Sequence, residues 1–216
     1  MKTALLLAAA MSVSALTADA ASLLSNGDFE AGNVDFSTDL TFVPSSGNGA
    51  ARYNVDTNPD DWFGAFASFG DNTSGSGNMM MINGSTTAGD LVWSETVSVA
   101  ANTDYSFSGF IAAIFPGSSA LTLEINSVLV GSITGPSTVA IWEDFDFTWG
   151  SGSATSATVS LLQASTGFGG NDYALDDLSF TANTTTPPPV PLPAAAWMLL
   201  VGIGGLFGVR RMKRTT

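Results

Sequence analysis

Leu121-Thr122-Leu123-Glu124-Ile125-Asn126 alternates apolar and polar residues without a break. A period of two puts Leu121, Leu123 and Ile125 on one side of an extended chain and Thr122, Glu124 and Asn126 on the other, the pattern of a strand with one dry and one wet face. The same rhythm recurs on both sides of it. Leu91, Trp93, Val97 and Val99 fall on one face, as do Tyr105, Phe107 and Ile111, then Phe145, Phe147 and Trp149, then Val159 and Leu161, while residues 79–82 are a shorter, wholly apolar run. Clusters of Gly, Asn, Asp and Ser separate these runs at a spacing of about ten residues, and no stretch between residues 21 and 181 carries a helical period. Many short strands joined by turns favour a sandwich or barrel over a layered α/β fold, so the expected fold is all-β, a two-sheet β-sandwich spanning 21–182.

The two ends of the chain have a different texture. Met1-Lys2-Thr3 gives a short positive start, residues 4–16 are almost entirely apolar or small, and Ala18-Asp19-Ala20 has the small-x-small pattern that signal peptidase reads, so 1–20 is expected to be a signal peptide cut after Ala20. Residues 190–209 carry no charge and are followed at once by Arg210, Arg211, Lys213 and Arg214. That length suits a single helix across a hydrocarbon core of about 30 Å, and the basic stub is expected to stay in the cytoplasm with the domain on the far side of the inner membrane. Between domain and helix, 183–189 is rich in threonine and proline, an extended spacer.

Charge and composition exclude whole classes of function. Of the six basic residues only Arg52 lies outside the leader and tail, against eighteen acids, a formal charge of −17 for the exported portion. Such a surface repels nucleic-acid phosphates and anionic lipid heads and attracts cations, so no nucleic-acid partner is expected. With no Cys and no His anywhere, there is no disulfide, no thiolate nucleophile, no Ser-His-Asp triad and no His- or Cys-bound zinc. Hydrolysis of glycosides needs only two carboxylates about 5–10 Å apart, but nothing marks one pair of acids over another, and no catalytic residue is assigned.

Val190, Pro191, Leu192, Pro193 and Ala194, followed by the apolar stretch AAWMLLVGIGGLFGV and the basic RRMKR, closely resemble the VPLPA variant of the PEP-CTERM sorting signal, over residues 190–216. The resemblance implies a Gram-negative bacterium, processing near the proline motif by an exosortase-like transpeptidase, and delivery to the cell surface or an extracellular polysaccharide matrix; a permanent single-span anchor is the alternative. In the body, Leu24-Ser25-Asn26-Gly27-Asp28-Phe29-Glu30 and Asp172-Tyr173-Ala174-Leu175-Asp176-Asp177-Leu178-Ser179-Phe180 are similar to the first and last strands of jelly-roll carbohydrate-binding modules with a galactose-binding-like fold. The resemblance implies that these strands meet and that their acids hold a structural calcium.

Strict alternation places Asp176 on the face of Leu178 and Phe180, where a buried carboxylate demands either a cation or a set of backbone donors. Glu30 and Asp176 are the expected calcium ligands, unless the register is off by one and both are solvated. A sugar site needs exposed ring faces beside polar groups. Trp93, Trp149 and Tyr105 fall on dry faces, whereas Trp142 alternates with Asp144 and Asp146, and Trp62 follows two acids with Phe66 nearby, so Trp62, Phe66 and Trp142 are the glycan-contact candidates. The expected function is that of a non-catalytic surface or matrix protein with a glycan-binding domain; a structural or adhesive protein bridging through protein contacts or calcium, and more remotely a glycosidase, are the alternatives.

Overall fold

The alternating run at 121–126 forms the centre of a sheet. In the computed structural model, which describes residues 21–183, Leu121, Leu123 and Ile125 are fully buried while Thr122 and Glu124 are half-buried. They belong to β6 (Ala120–Ile125), which turns through Asn126 and Ser127, both in the left-handed region, into β7 (Val128–Thr134). That two-residue connection fits the right-handed twist of the paired strands. On the other side of β6 lies β9 (Ser156–Gln163), and beyond it β4 (Leu91–Ser98), so the smaller sheet runs β4-β9-β6-β7.

The larger sheet contains β1 (Thr41–Phe42), β2 (Arg52–Asp56), β3 (Met79–Asn83), β10 (Tyr173–Ala182), β5 (Asp104–Ala113) and β8 (Trp142–Gly150), in that spatial order. Its inner face meets the smaller sheet in one apolar core: Tyr105, Phe107 and Ile111 from β5, Phe145 from β8 and Phe180 from β10 pack against Trp93, Leu121, Leu123, Val159 and Leu161. The faces read from the sequence are therefore the buried ones, except at Leu91, which lies outside the core because β4 shifts register before Trp93 and buries Val92 as well. Each fully buried large apolar side chain contributes about 1.5–3 kcal/mol, which is how an all-β domain without disulfides holds together.

Met79–Ile82 is apolar throughout because β3 is covered on both faces. Met80 and Ile82 enter the main core, and Met79 and Met81 enter a second cluster with Trp62, Phe66, Ile114 and Ala174 on the outer face of the larger sheet. A crossing segment that begins with one helical turn, α1 (Pro59–Trp62), covers this cluster. Asn58 caps the turn, its side-chain oxygen accepting from Asp60 N at 3.2 Å, and Pro59 pre-sets the first helical residue.

The opening motif runs beside β10 as expected: Leu23 N donates to Phe180 O and Leu178 N to Gly27 O, each at 2.8 Å. Gly27 is required there, because a Cβ would overlap the Leu178 carbonyl. Asn26 is buried and ties the following turn, donating to Gly32 O and Val34 O and accepting from Ala31 N.

One expectation of register needs correction. Pairing of β10 with β5 slips between Asp176 and Ser179, and Asp177 takes a φ of 50°. This bulge restores Leu178 and Phe180 to the core face of Tyr173 and Leu175, and it leaves Asp176 on the opposite, outer face with Ala174. The strands and their loops make one compact unit, Ala20–Thr184. Among the described residues no helix is long and apolar enough to cross a membrane. The expected leader at 1–20 with Ala18 and Ala20, all but the first residue of the 183–189 spacer and the sorting signal at 190–216 lie outside the described residues.

Candidate functional site

Three places gather the residues singled out in the sequence. At the first, Glu30 and Asp176 flank the loop 70–78 and hold it by its backbone. Asp176 is buried, its two oxygens accepting from Asn72 N and Asp177 N at 2.8 Å each, and Glu30 Oε1 accepts from Asn78 N at 2.9 Å. Asp177 accepts from the Asn72 amide at 2.8 Å and from the Thr73 hydroxyl. Asp71 folds the loop onto itself through Ser74 N and Gly77 N at 2.8 and 2.7 Å. Burial acts to raise the Asp71 carboxyl, but the amides of Ser74, Gly77 and Ser76 and the Ser74 hydroxyl outweigh it and hold it below the usual carboxylate range. Asp176 goes the other way: burial pushes it up to about 7, the Asn72 amide opposes, and the neighbouring charges of Asp177 and Asp71 add to the rise. Backbone donors are thus the compensation observed for this buried carboxylate, on the outer face of the sheet. The donor chemistry is all oxygen, as calcium prefers, yet among the described residues no three acids converge on one point, and each of these carboxylates faces amides of the loop.

The second place is the outer cluster. Trp62 and Phe66 are only 5 % and 6 % exposed, and the Trp62 indole donates to Val43 O at 2.7 Å. Trp142, half-buried, donates to Gly70 O at 3.2 Å and meets Phe69 edge-on. Open ring faces were expected at all three; instead Trp62 and Trp142 pin the crossing segment to the sheet, because a buried indole needs a partner for its N–H.

Phe66 is different, because it also lines the third place, a pocket of about 150 Å³ where the ends of β3, β5 and β10 meet. Phe63, Phe66, Phe115 and Phe168 supply ring surface, and Asn83, Asn171 and Asp172 supply polar groups. Trp62 backs Phe66 with ring centres 5.8 Å apart, and Phe63 meets Phe66 edge-on at 5.1 Å. Asp172 accepts from Gly84 N at 3.0 Å and Gly170 N at 3.3 Å; burial nonetheless raises its carboxyl above the usual range. The Asn83 amide donates to Gly47 O at 2.7 Å and the Asn171 amide to Ser85 O at 2.8 Å, which leaves their side-chain oxygens as acceptors. Phe168 stands out from the surface at 84 % exposure. Arg52, register partner of Asn83, brings its guanidinium to within 3.1 Å of where a Cβ would sit on Gly49, a lining residue.

Of the pocket residues, the sequence reading singled out only Phe66. Its lining comes from five segments distant in the chain, so no spacing reveals it. One signal was available: Gly167-Phe168-Gly169-Gly170 sets a lone aromatic among glycines, where it has no alternating partner and no core face to join.

No family model matches the chain, and no curated protein matches it. Solved structures do. The CBM22-1 xylan-binding domain of Paenibacillus barcinonensis Xyn10C is 15 % identical with a TM-score of 0.47, the match covering 79 % of this chain and all of that one; in the CBM22-1–CBM22-2 tandem of the same protein, this chain spans half the length, at 16 % identity and a TM-score of 0.48. A family 16 carbohydrate-binding module is 14 % identical with a TM-score of 0.45, over 74 % of this chain and 99 % of that one.

Proposed function

We propose that the chain is a non-catalytic, exported surface or matrix protein whose sandwich binds a glycan. The observation that carries the binding is the pocket: ring faces from Phe63, Phe66, Phe115 and Phe168 beside the side-chain oxygens of Asn83, Asn171 and Asp172. Sugar C–H faces pack on aromatic rings while hydroxyls need oriented partners, and both kinds of surface meet here. The VPLPA-type tail supports passage across the inner membrane of a Gram-negative bacterium, a single-span membrane intermediate, cutting by an exosortase-like transpeptidase, and release to the surface or to an extracellular polysaccharide. Calcium at Glu30 and Asp176 belongs to the proposal as a structural ion, supported by the crowding of Glu30, Asp71, Asp176 and Asp177 around one loop; binding would turn these carboxylates from the amides they now face.

Calorimetric titration of the unit Ala20–Thr184 with a polysaccharide panel, and melting with and without chelator, test both parts. Binding lost in Phe115→Ala and retained in Trp142→Phe is the expected result. Absence of binding across the panel removes the glycan reading, and a melting midpoint indifferent to chelator removes the calcium.

A second reading rests on a separate observation. The edge strand β7 carries Val128 and Leu129 at 63 % and 62 % exposure, so an adhesive role through protein contacts has a surface to use.

A further inference from the structure

Resting on the glycan-binding reading, we propose that the pocket seats the terminal ring of a saccharide chain, end-on, and does not grip the interior of a polymer. Size is the first argument. Pockets that take larger ligands run to about 300–1,000 Å³, whereas a cavity of about 150 Å³ is filled by a single six-membered ring. The pocket lined by Phe63, Phe66, Phe115 and Phe168 is of that smaller kind, about 150 Å³.

The second argument is how the pocket is walled. Loop 115–117 and loop 168–172 touch backbone to backbone, so closely that a Cβ on Gly117 would overlap the Gly170 carbonyl. From Phe115 a chain of ring contacts runs through Phe66 to Phe63, with Phe66 and Phe115 centred 6.5 Å apart and Trp62 behind. Asn171 is itself pinned by carbonyls of Ser85 and Ser165, at 2.8 and 3.3 Å. Walls built of paired backbone and packed rings give little room for a chain to pass through. Two other surface depressions, one around Asp35 and Glu95 and one around Ser25 and Asp177, share no lining residue with this pocket, so they do not extend it into a groove.

The third argument is Phe168. It stands at the rim at 84 % exposure, its ring free beside the polar floor of Asn171 and Asp172. It is placed to stack on the face of a ring that has entered, with the Asn83 and Asn171 oxygens accepting from its hydroxyls.

The test uses Ala20–Thr184 with matched short and long cello-, xylo- and manno-oligosaccharides, and with each parent polysaccharide before and after partial acid cleavage. End-on binding predicts the same affinity for short and long members of the series that binds, a molar capacity on the polymer that rises with the number of chain ends, and about a tenfold loss in Phe168→Ala, whose exposed side chain leaves the fold intact. Affinity that grows with chain length, or capacity that follows polymer mass and ignores cleavage, overturns end-on recognition while leaving glycan binding standing. Binding that is unchanged in Phe168→Ala and Phe115→Ala overturns the pocket while leaving glycan binding standing, and binding absent for every sugar overturns the glycan reading itself.

Discussion

The two apolar clusters on either side of the larger sheet are closed in different ways. Inside, β4, β9, β6 and β7 lay a whole second sheet over the rings of β5, β8 and β10, and stability there comes from buried area. Outside, a single crossing of chain covers Met79, Met81, Ile114 and Ala174, tied by two indole N–H groups and by carboxylates that accept from its amides. One side is held by surface, the other by a few polar tethers, and the pocket opens at the border of the tethered side. The largest effect that separates them is expected in the main core. Phe180 is fully buried and stacks on Tyr105 with ring centres 5.0 Å apart, so Phe180→Ala is expected to lose about 3–5 kcal/mol, a fall of roughly 6–20 °C in midpoint by calorimetry. A loss below about 1 kcal/mol would erase the distinction between the two clusters.

Asp176 sharpens the contrast with a smaller, pH-dependent effect. Its carboxyl lies near 7 in the folded state and near 3.8 when the chain is unfolded. Between those values the folded chain holds more protons than the unfolded one, so stability falls as pH rises from about 4 to about 7, and the loss is complete above the folded value. Asp176→Asn mimics the protonated form and is therefore expected to flatten the fall of the midpoint between pH 4 and 7 by about 2–4 °C or more, the return of roughly 1 kcal/mol in a domain of this size. An unaltered slope would mean that the carboxylate is already fully compensated by the Asn72 and Asp177 amides.

The same division explains what was legible in the sequence. Alternation is a property of the strand itself, so the inward residues of β5, β6, β8 and β9 could be read one after another, and Trp93, Trp149 and Tyr105 were rightly placed on dry faces. The bulge at Asp177 was not legible, because Ala174-Leu175-Asp176-Asp177-Leu178 fits an unbroken strand as well as one that slips, and a slip of one residue sends Asp176 to the other face. Trp62, Phe66 and Trp142 were expected to offer open ring faces, and Trp62 and Phe66 are instead buried and Trp142 half-buried. What covers them is the docking of residues 58–78, which depends on tertiary tethers and leaves no period in the chain. The pocket is hidden for a related reason, being assembled from loop ends, and only Phe168 among its glycines marks it in the sequence.

The smallest expected effect tests the tethers one at a time. Trp142→Phe keeps the ring against Phe69 and removes only the N–H that reaches Gly70 O at 3.2 Å. A hydrogen bond of this kind is worth about 0.5–1.5 kcal/mol net, and the half-buried carbonyl it frees can turn to water, so the global midpoint should shift by no more than about 4 °C. The change should instead be local: amides of the loop 70–78 that donate to Asp71, Asp176 and Glu30 should exchange faster, while those of β5 and β10 stay protected at the level of global unfolding. If β5 and β10 lose protection equally, the outer cover and the main core unfold as one unit, and the crossing segment is as integral to the sandwich as either sheet.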